Sequence, residues 1–216
     1  MTSGVDVDLA DLLALAEAAA LEAGRLLVDG RPADLRVAAT KSSPTDVVTE
    51  MDTATERLLV KRLLGARPDD GVLGEEGASG AGSSGVRWVL DPIDGTVNYL
   101  YGLPAWAVSV AAEIGGRAAV GVVHAPALGR TWTAVLGGGA FCAGQRVRCA
   151  AAVPVDQALV GTGFGYAAAR RARQGEVLRS LLPQVRDVRR IGSAAVDLCY
   201  VASGHYDAYY ERGTNW

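Results

Sequence analysis

The stretch Trp88-Val89-Leu90-Asp91-Pro92-Ile93-Asp94-Gly95-Thr96 decides how the rest of the chain is read. Val86 to Leu90 is apolar except for Arg87, the pattern of a buried strand. Asp91 sits at its end, and Pro92, with no N–H to donate, stops regular pairing there. An Asp-x-x-Asp spacing within a turn aims both carboxylates, Asp91 and Asp94, at one point. Upstream, Val72-Leu73-Gly74 reads as a short strand ending in Glu75-Glu76. If that strand lies beside Trp88-Val89-Leu90, Glu75 reaches the same point. Carboxylates gathered this closely repel unless a divalent cation sits among them. A ligand set made only of oxygens selects a hard ion, Mg²⁺ or Mn²⁺. Gly95-Thr96 then offers two N–H groups and a hydroxyl at the start of a short helix, where a phosphate is favoured. Metal-assisted phosphoryl transfer to water is the chemistry these parts share. Singly, each part is ordinary: a solvated turn, a charged loop. Their order along one chain carries the reading.

Working outward, Thr49-Glu50-Met51-Asp52 has the Thr-x-x-Asp form of a helix start, which predicts a helix to about Leu64 with Asp52 in its first turn. Before it, Lys41-Ser42-Ser43-Pro44-Thr45-Asp46 reads as a turn-rich loop and Leu35-Arg36-Val37 as a strand. Leu9, Leu12, Leu13, Ala16, Ala20, Ala23 and Leu27 recur at helical spacing up to Gly30. Residues Gly77 to Gly85 are nearly all Gly, Ala and Ser and read as a flexible surface loop; without a Lys it is no Walker loop. Strand-like runs at Trp106–Ile114, Ala118–His124 and Thr131–Leu136, separated by Gly115-Gly116 and Gly129-Arg130, predict an antiparallel meander. Pro154 marks a boundary between an α+β domain, 1–150, carrying the metal and phosphate site, and a substrate-side domain, 151–216. In the latter we expect a strand (Ala158–Gly163), a helix (about Ala167 to Leu182), an arginine-rich connection (Arg186–Arg190), a helix (about Ser193 to Ser203) and a strand (Asp207–Tyr210). That alternation is an incomplete α/β unit.

Composition narrows the classes. The 216 residues hold 21 Lys+Arg against 24 Asp+Glu, a net charge of −3, which disfavours a nucleic-acid binder. Aromatics at 6% leave no stacking platform for single strands. Cys142, Cys149 and Cys199 form no C-x-x-C pair, which argues against structural zinc and for a reducing compartment. No apolar run approaches the ~18 residues of a membrane span, and the acidic start Met1 to Asp8 is not a secretory signal. We expect a cytoplasmic protein.

Four blocks together resemble the inositol monophosphatase family: Lys41 to Asp52, Gly74-Glu75-Glu76-Gly77, Trp88 to Tyr99, and Arg190-Ile191-Gly192-Ser193-Ala194-Ala195 through Glu211. The resemblance covers essentially the whole chain. It implies a layered α-β-α-β-α sandwich and a Mg²⁺-dependent, Li⁺-sensitive phosphomonoesterase acting on inositol monophosphate, active as a homodimer. By the same resemblance Glu75, Asp91 and the Ile93 carbonyl hold a first Mg²⁺. Asp91 and Asp94 hold a second, and Glu75 borders a third, weaker site. Asp52, Glu75 and Thr96 are the catalytic set, with Asp52 and Thr96 acting on the attacking water. Gly95 and Thr96 grip the phosphate. Asp94, Gly192, Ser193, Ala194 and Glu211 face the polyol, Glu211 accepting hydrogen bonds from ring hydroxyls.

The family pattern continues past Glu211 to a Trp-Asp pair whose Asp completes the second metal. The chain reaches Trp216 before it, so the expectation is a C-terminally truncated chain with its last elements missing, poorly soluble and of low activity. Relatives with nearly the same metal motifs act on histidinol phosphate, fructose 1,6-bisphosphate or adenosine 3',5'-bisphosphate, and others bind regulatory protein partners without catalysis. These are the alternatives. A haloacid-dehalogenase reading of Asp6-Val7-Asp8-Leu9-Ala10 fails for want of the following Thr or Val. Gly161-Thr162-Gly163-Phe164-Gly165 has its third Gly one place early for a dinucleotide loop and reads as a Gly-rich strand end.

Overall fold

The computed structural model describes residues 7–32, 39–40 and 47–214. Helix α1 (Leu9–Asp29) starts where the Asp8 carboxylate accepts the Ala10 N–H at 2.7 Å. Its Ala-rich stripe (Leu12, Ala16, Ala20, Ala23, Leu27) is fully buried. The two-residue strands β1 (Ala39–Thr40) and β2 (Val47–Val48) pair antiparallel. The expected Leu35–Val37 strand and Lys41–Asp46 loop lie outside the described residues. Helix α2 (Glu50–Ala66) opens with the capping box the sequence predicts. The Thr49 hydroxyl accepts the Met51 and Asp52 N–H groups, and Asp52 accepts the Thr49 N–H in return.

Strands β3 (Gly71–Gly74), β4 (Ser79–Gly80) and β5 (Val86–Asp94) follow, then the short helix α3 (Thr96–Tyr101). Strands β6 (Ala107–Ile114), β7 (Arg117–Ala125), β8 (Arg130–Val135), β9 (Gly139–Cys142) and β10 (Gln145–Val147) complete an eight-stranded sheet of order β10-β9-β8-β7-β6-β5-β3-β4. α1 and α2 cover one face of it. The core between them holds Leu12, Leu27, Leu59, Leu63, Trp88, Val108, Val110 and Val122. Apolar burial at ~25 cal/mol per Å² makes this the main source of stability.

A second sheet, order β12-β11-β13, is parallel throughout. It comprises β11 (Leu159–Thr162), α4 (Ala168–Leu181), β12 (Asp187–Arg189), α5 (Ala194–Ala202) and β13 (Ala208–Tyr210). α5 lies between the two sheets, touching β6 and β7 on one side and β11 and β13 on the other. The result is the layered α-β-α-β-α arrangement. β13, within the expected Asp207–Tyr210 strand, lies at one edge of this sheet.

Three local expectations are corrected. The Gly77–Gly85 segment is not a free loop. It contains β4, paired with β3, and is pinned beyond it by the Ser83 and Ser84 N–H groups on the Asp69 carbonyl at 2.8 and 3.0 Å. Its partners are backbone groups and side chains from outside the segment, Glu56 on the Ala78 N–H and Asp70 on the Ser84 hydroxyl, so its own composition gives no sign of them. The arginine-rich connection contains β12, parallel to β11. The meander also runs two strands further, through β9 and β10. No helix among the described residues is long and apolar enough to cross a membrane.

Candidate active site

β3 and β5 run parallel, Leu73 opposite Val89 and Gly74 opposite Leu90, as the carboxylate argument requires. Glu75 therefore leaves β3 at the end where Asp91 sits, its N–H donating to the Leu90 carbonyl at 3.1 Å. β5 pairs with β6 up to Asp91 opposite Ser109, then shifts register and resumes at Asp94 opposite Ala107. Pro92 lacks the ladder donor, which is why the pairing breaks between the two aspartates. Within that break the Asp91 carboxylate accepts the Ile93 N–H at 3.0 Å.

Gly95 follows with φ 96°, and a Cβ there would stand 2.9 Å from the Ala105 carbonyl oxygen and 3.1 Å from that of Gly192. Only glycine allows both the left-handed turn and this approach. The first residue of α3, Thr96, places its hydroxyl 3.0 Å from Asp52 Oδ1 and 3.0 Å from the Ile93 carbonyl. With one proton, that hydroxyl donates to one of them at a time. Asp52 Oδ2 accepts the Thr49 N–H at 2.8 Å and the Thr49 hydroxyl at 2.5 Å. Burial raises the Asp52 pKa, and the Thr49 and Thr96 hydrogen bonds oppose that rise.

Asp94 reaches across to the second sheet's unit. Its Oδ2 accepts the Ser193 hydroxyl at 2.5 Å and the Ala195 N–H at 2.6 Å, so it sits on the first turn of α5, which Ser193 caps. Burial pushes its pKa up, the Ser193, Ala195 and Ala194 contacts pull it down, and the nearby charge of Glu75 adds to the rise. The Asn98 amide on α3 makes a parallel link, donating to the Ala105 carbonyl at 2.5 Å and the Ile191 carbonyl at 2.7 Å. Gly192 has φ 99°, and a Cβ there would lie 2.8 Å from both Arg190 and Asn98. Glu211, just past β13, accepts the Tyr209 hydroxyl and lies against Gly163.

Asp52, Ile93 and Thr96 thus form one cluster, and Asp94, Gly95, Gly192, Ser193 and Ala194 form a second that abuts it. Glu75 is within electrostatic reach of Asp94. Glu211, just past β13, is within electrostatic reach of Asp197, which also feels the charge of Asp94. Among the described residues no three acidic, His or Cys side chains close on a single point as a finished cation cage. The donor chemistry nevertheless fits a hard divalent ion: Glu75, Asp91, Asp94 and the Ile93 carbonyl supply only oxygen. The crowding of Glu75 on Asp94 is the repulsion such an ion relieves.

Sequence reasoning missed two residues here. Asn98 lies inside the quoted motif, but its partner Ile191 is far away in the chain. Asp197, on α5, is 1% exposed. One of its oxygens bonds with Tyr206, while Oδ1 has no hydrogen-bond partner among the described residues. Burial, then the charge of Asp94, pushes its pKa up to about 7. A lone acid in the otherwise apolar run Ala194–Ala202 was the available signal.

The model of the inositol monophosphatase family matches residues 8–216. The chain belongs to that family. An inositol-1-monophosphatase, SuhB, of Mycobacterium tuberculosis is 52% identical over 182 residues, 80% of this chain and 63% of the relative. The chain therefore spans less than two thirds of that relative's length. A Nus factor SuhB of Pasteurella multocida is 38% identical over 206 residues, 94% of this chain and 76% of the relative. Among solved structures, the extragenic suppressor protein suhB of Bartonella henselae superposes with a TM-score of 0.87 at 35% identity, covering 95% of this chain and 80% of that one. Mycobacterium tuberculosis SuhB gives 0.82 at 46% identity, covering 96% and 80%. The superpositions with these solved structures thus extend over nearly the whole chain.

Proposed function

We propose that the protein is a Mg²⁺-dependent phosphomonoesterase that hydrolyses inositol monophosphate with a water activated by Asp52 and Thr96. The observation that carries this reading is the Thr96 hydroxyl, 3.0 Å from both the Asp52 carboxylate and the Ile93 carbonyl. It joins a base to a main-chain ligand of the metal site. Glu75, Asp91 and the Ile93 carbonyl would hold a first Mg²⁺, Asp91 and Asp94 a second, and Glu75 would border a third; Mn²⁺ suits the same donors. When bound, such ions polarise phosphoryl oxygens and neutralise developing charge.

The chain's own residues do the rest. Asp52 takes the proton of the attacking water, and Thr96 orients the pair. The N–H groups of Gly95 and Thr96 donate to the phosphate. α3 has six residues, so these donors act as local hydrogen bonds and not through a long helix dipole. The water oxygen bonds to phosphorus, the ester P–O bond breaks, and the alcohol oxygen leaves and takes up a proton. Gly192, Ser193 and Ala194 bound the alcohol side, and Glu211 accepts hydrogen bonds from polyol hydroxyls. The same reading divides the chain into units 1–150 and 151–216 and makes the protein a cytoplasmic homodimer. It needs no nucleic-acid or membrane partner.

A panel of phosphomonoesters with Mg²⁺, with and without Li⁺, tests it. Inositol monophosphate should release phosphate fastest, with loss on chelation and inhibition by Li⁺. Faster release from histidinol phosphate, fructose 1,6-bisphosphate or adenosine 3',5'-bisphosphate would move the substrate within the superfamily. No metal-dependent release from any of them would overturn the reading. The similarity to a Nus factor favours a second reading, a regulatory protein partner bound without catalysis. Asp94→Asn separates the two, since it should abolish phosphate release and leave partner binding intact.

A further inference from the structure

Glu56 is one helical turn after Asp52 on α2, so the two carboxylates share a helix face. It is 6% exposed, and among the described residues it forms no ion pair. Instead its two oxygens are spent on backbone. Oε2 accepts the Glu76 N–H at 2.8 Å and Oε1 the Ala78 N–H at 2.9 Å. Those donors lie in the tight turn from β3 to β4, closed by the Gly74 N–H on the Ala78 carbonyl at 2.7 Å. The turn presents Glu75. Gly74 is packed so closely on the carboxylate that a Cβ there would stand 2.1 Å from Glu56 Oε2. Glu75 is thus fixed from both flanks, by Leu90 on β5 and by Glu56 on α2.

We infer that Glu56 is a positioning residue for the metal site, and this rests on the function proposed above. One rigid helix carries Asp52 at its first turn and, through Glu56, the turn that carries Glu75. The separation between the water-activating pair and the metal-binding glutamate is therefore set by a single element. A buried carboxylate is a costly way to close a turn that glycine could close alone. Its cost is explained by the accuracy required of Glu75, because losing a residue that orients a metal ligand typically costs about 10–100-fold in metal affinity.

The test is Mn²⁺ binding by calorimetry and electron spin resonance on the purified protein, with three variants. Glu56→Gln keeps one acceptor but turns an NH₂ toward an N–H donor. It should weaken Mn²⁺ binding about tenfold or more, and saturating metal should restore most of kcat. Gly74→Ala leaves Glu56 in place but displaces its carboxylate, and should weaken binding similarly, which covers the case in which Glu56→Gln does not fold. Asp70→Asn is the control. Asp70 is also buried and multiply hydrogen-bonded, to Arg67, Ser84 and Trp88, but it does not touch the Glu75 turn. It should cost thermal stability and leave Mn²⁺ affinity unchanged. Affinity within a factor of two of the parent in both Glu56→Gln and Gly74→Ala overturns the inference. So does equal weakening by Asp70→Asn. A parent protein that binds no Mn²⁺ overturns the metal reading itself and this inference with it.

Discussion

The two sheets are built differently. The eight-stranded sheet is sealed by α1 and α2, with Leu12, Leu59, Leu63 and Trp88 at 0% exposure. The three-stranded sheet carries α4, whose only buried residue is Gln174 and whose Val177 is 52% exposed. Asp52, Glu75, Asp91 and Thr96 belong to the first region; Ser193, Ala194 and Glu211 belong to the second. The first region thus rests on a large apolar core. The second is joined to it by a smaller apolar cluster of Ala107, Ala125, Trp132 and Val196 and by polar links. Among the polar links are Asp94 on Ser193 and Ala195, Asn98 on Ile191, and the Trp132 indole N–H on the Ser203 hydroxyl at 2.9 Å.

Core truncation in the large sheet's region should give the largest effect. Leu59→Ala removes a fully buried side chain and should cost about 2–5 kcal/mol in chemical denaturation. A cost under about 1 kcal/mol would mean that this core is less tightly packed than the burial implies. Next, Asn98→Ala leaves two carbonyls without their donor and should cost roughly 1–3 kcal/mol. Its hydrogen-exchange signature should be local. Protection should fall in residues 190–211 while β5 to β8 keep theirs, and uniform loss would contradict two separately stabilised regions.

A smaller pH effect is expected from His124 in the large sheet. His124 on β7 lies against α1, its Nδ1 2.9 Å from the Thr131 hydroxyl. Burial first, and then the charge of Arg25, lower its pKa below 6.5, while the Arg130 backbone works against them. The unfolded chain therefore takes up the proton at higher pH than the folded one does. Stability from this group is complete above about 6.5 and is lost as pH falls toward the lower folded value. Asp197 on α5, with its pKa raised to about 7, works in the opposite direction over this range. The His124 contribution is therefore read as a difference: from pH 7.5 to 5.5 the urea midpoint of the parent should fall relative to that of His124→Gln. The smallest effect is expected from Val177→Ala on α4, within about 0.5 kcal/mol of the parent.

Much of this division is legible in the chain. The Ala/Leu stripe gives α1, the Thr49–Asp52 box gives the start of α2, and the apolar run before Asp91 gives β5 with its break at Pro92. The strands that escaped detection, β1, β2, β4, β9, β10 and β12, are short, and the last four are rich in Gly, Ala or Arg. They have no apolar alternation to announce them and exist because backbone groups find partners. The carboxylates of the site were legible because acid-rich turns at strand ends are conspicuous. Their supports were not. Glu56 looks like any helix-surface acid until the Glu75 turn folds over it, and Asn98 acquires its role only when Ile191 arrives from the second sheet's unit. Asp197 had a sequence signal, one acid within an apolar helix, whose meaning depends on Asp94 lying nearby.

On the proposed function, the Thr96 hydroxyl and Asp52 act together on the attacking water. Thr96→Val tests it most directly, because it removes the hydroxyl and keeps the shape. With Mg²⁺ and inositol 1-phosphate at saturation, kcat should fall about a hundredfold or more, while the Mn²⁺ affinity and unfolding midpoint of the protein stay near those of the parent. A kcat within a few-fold of the parent would contradict the account.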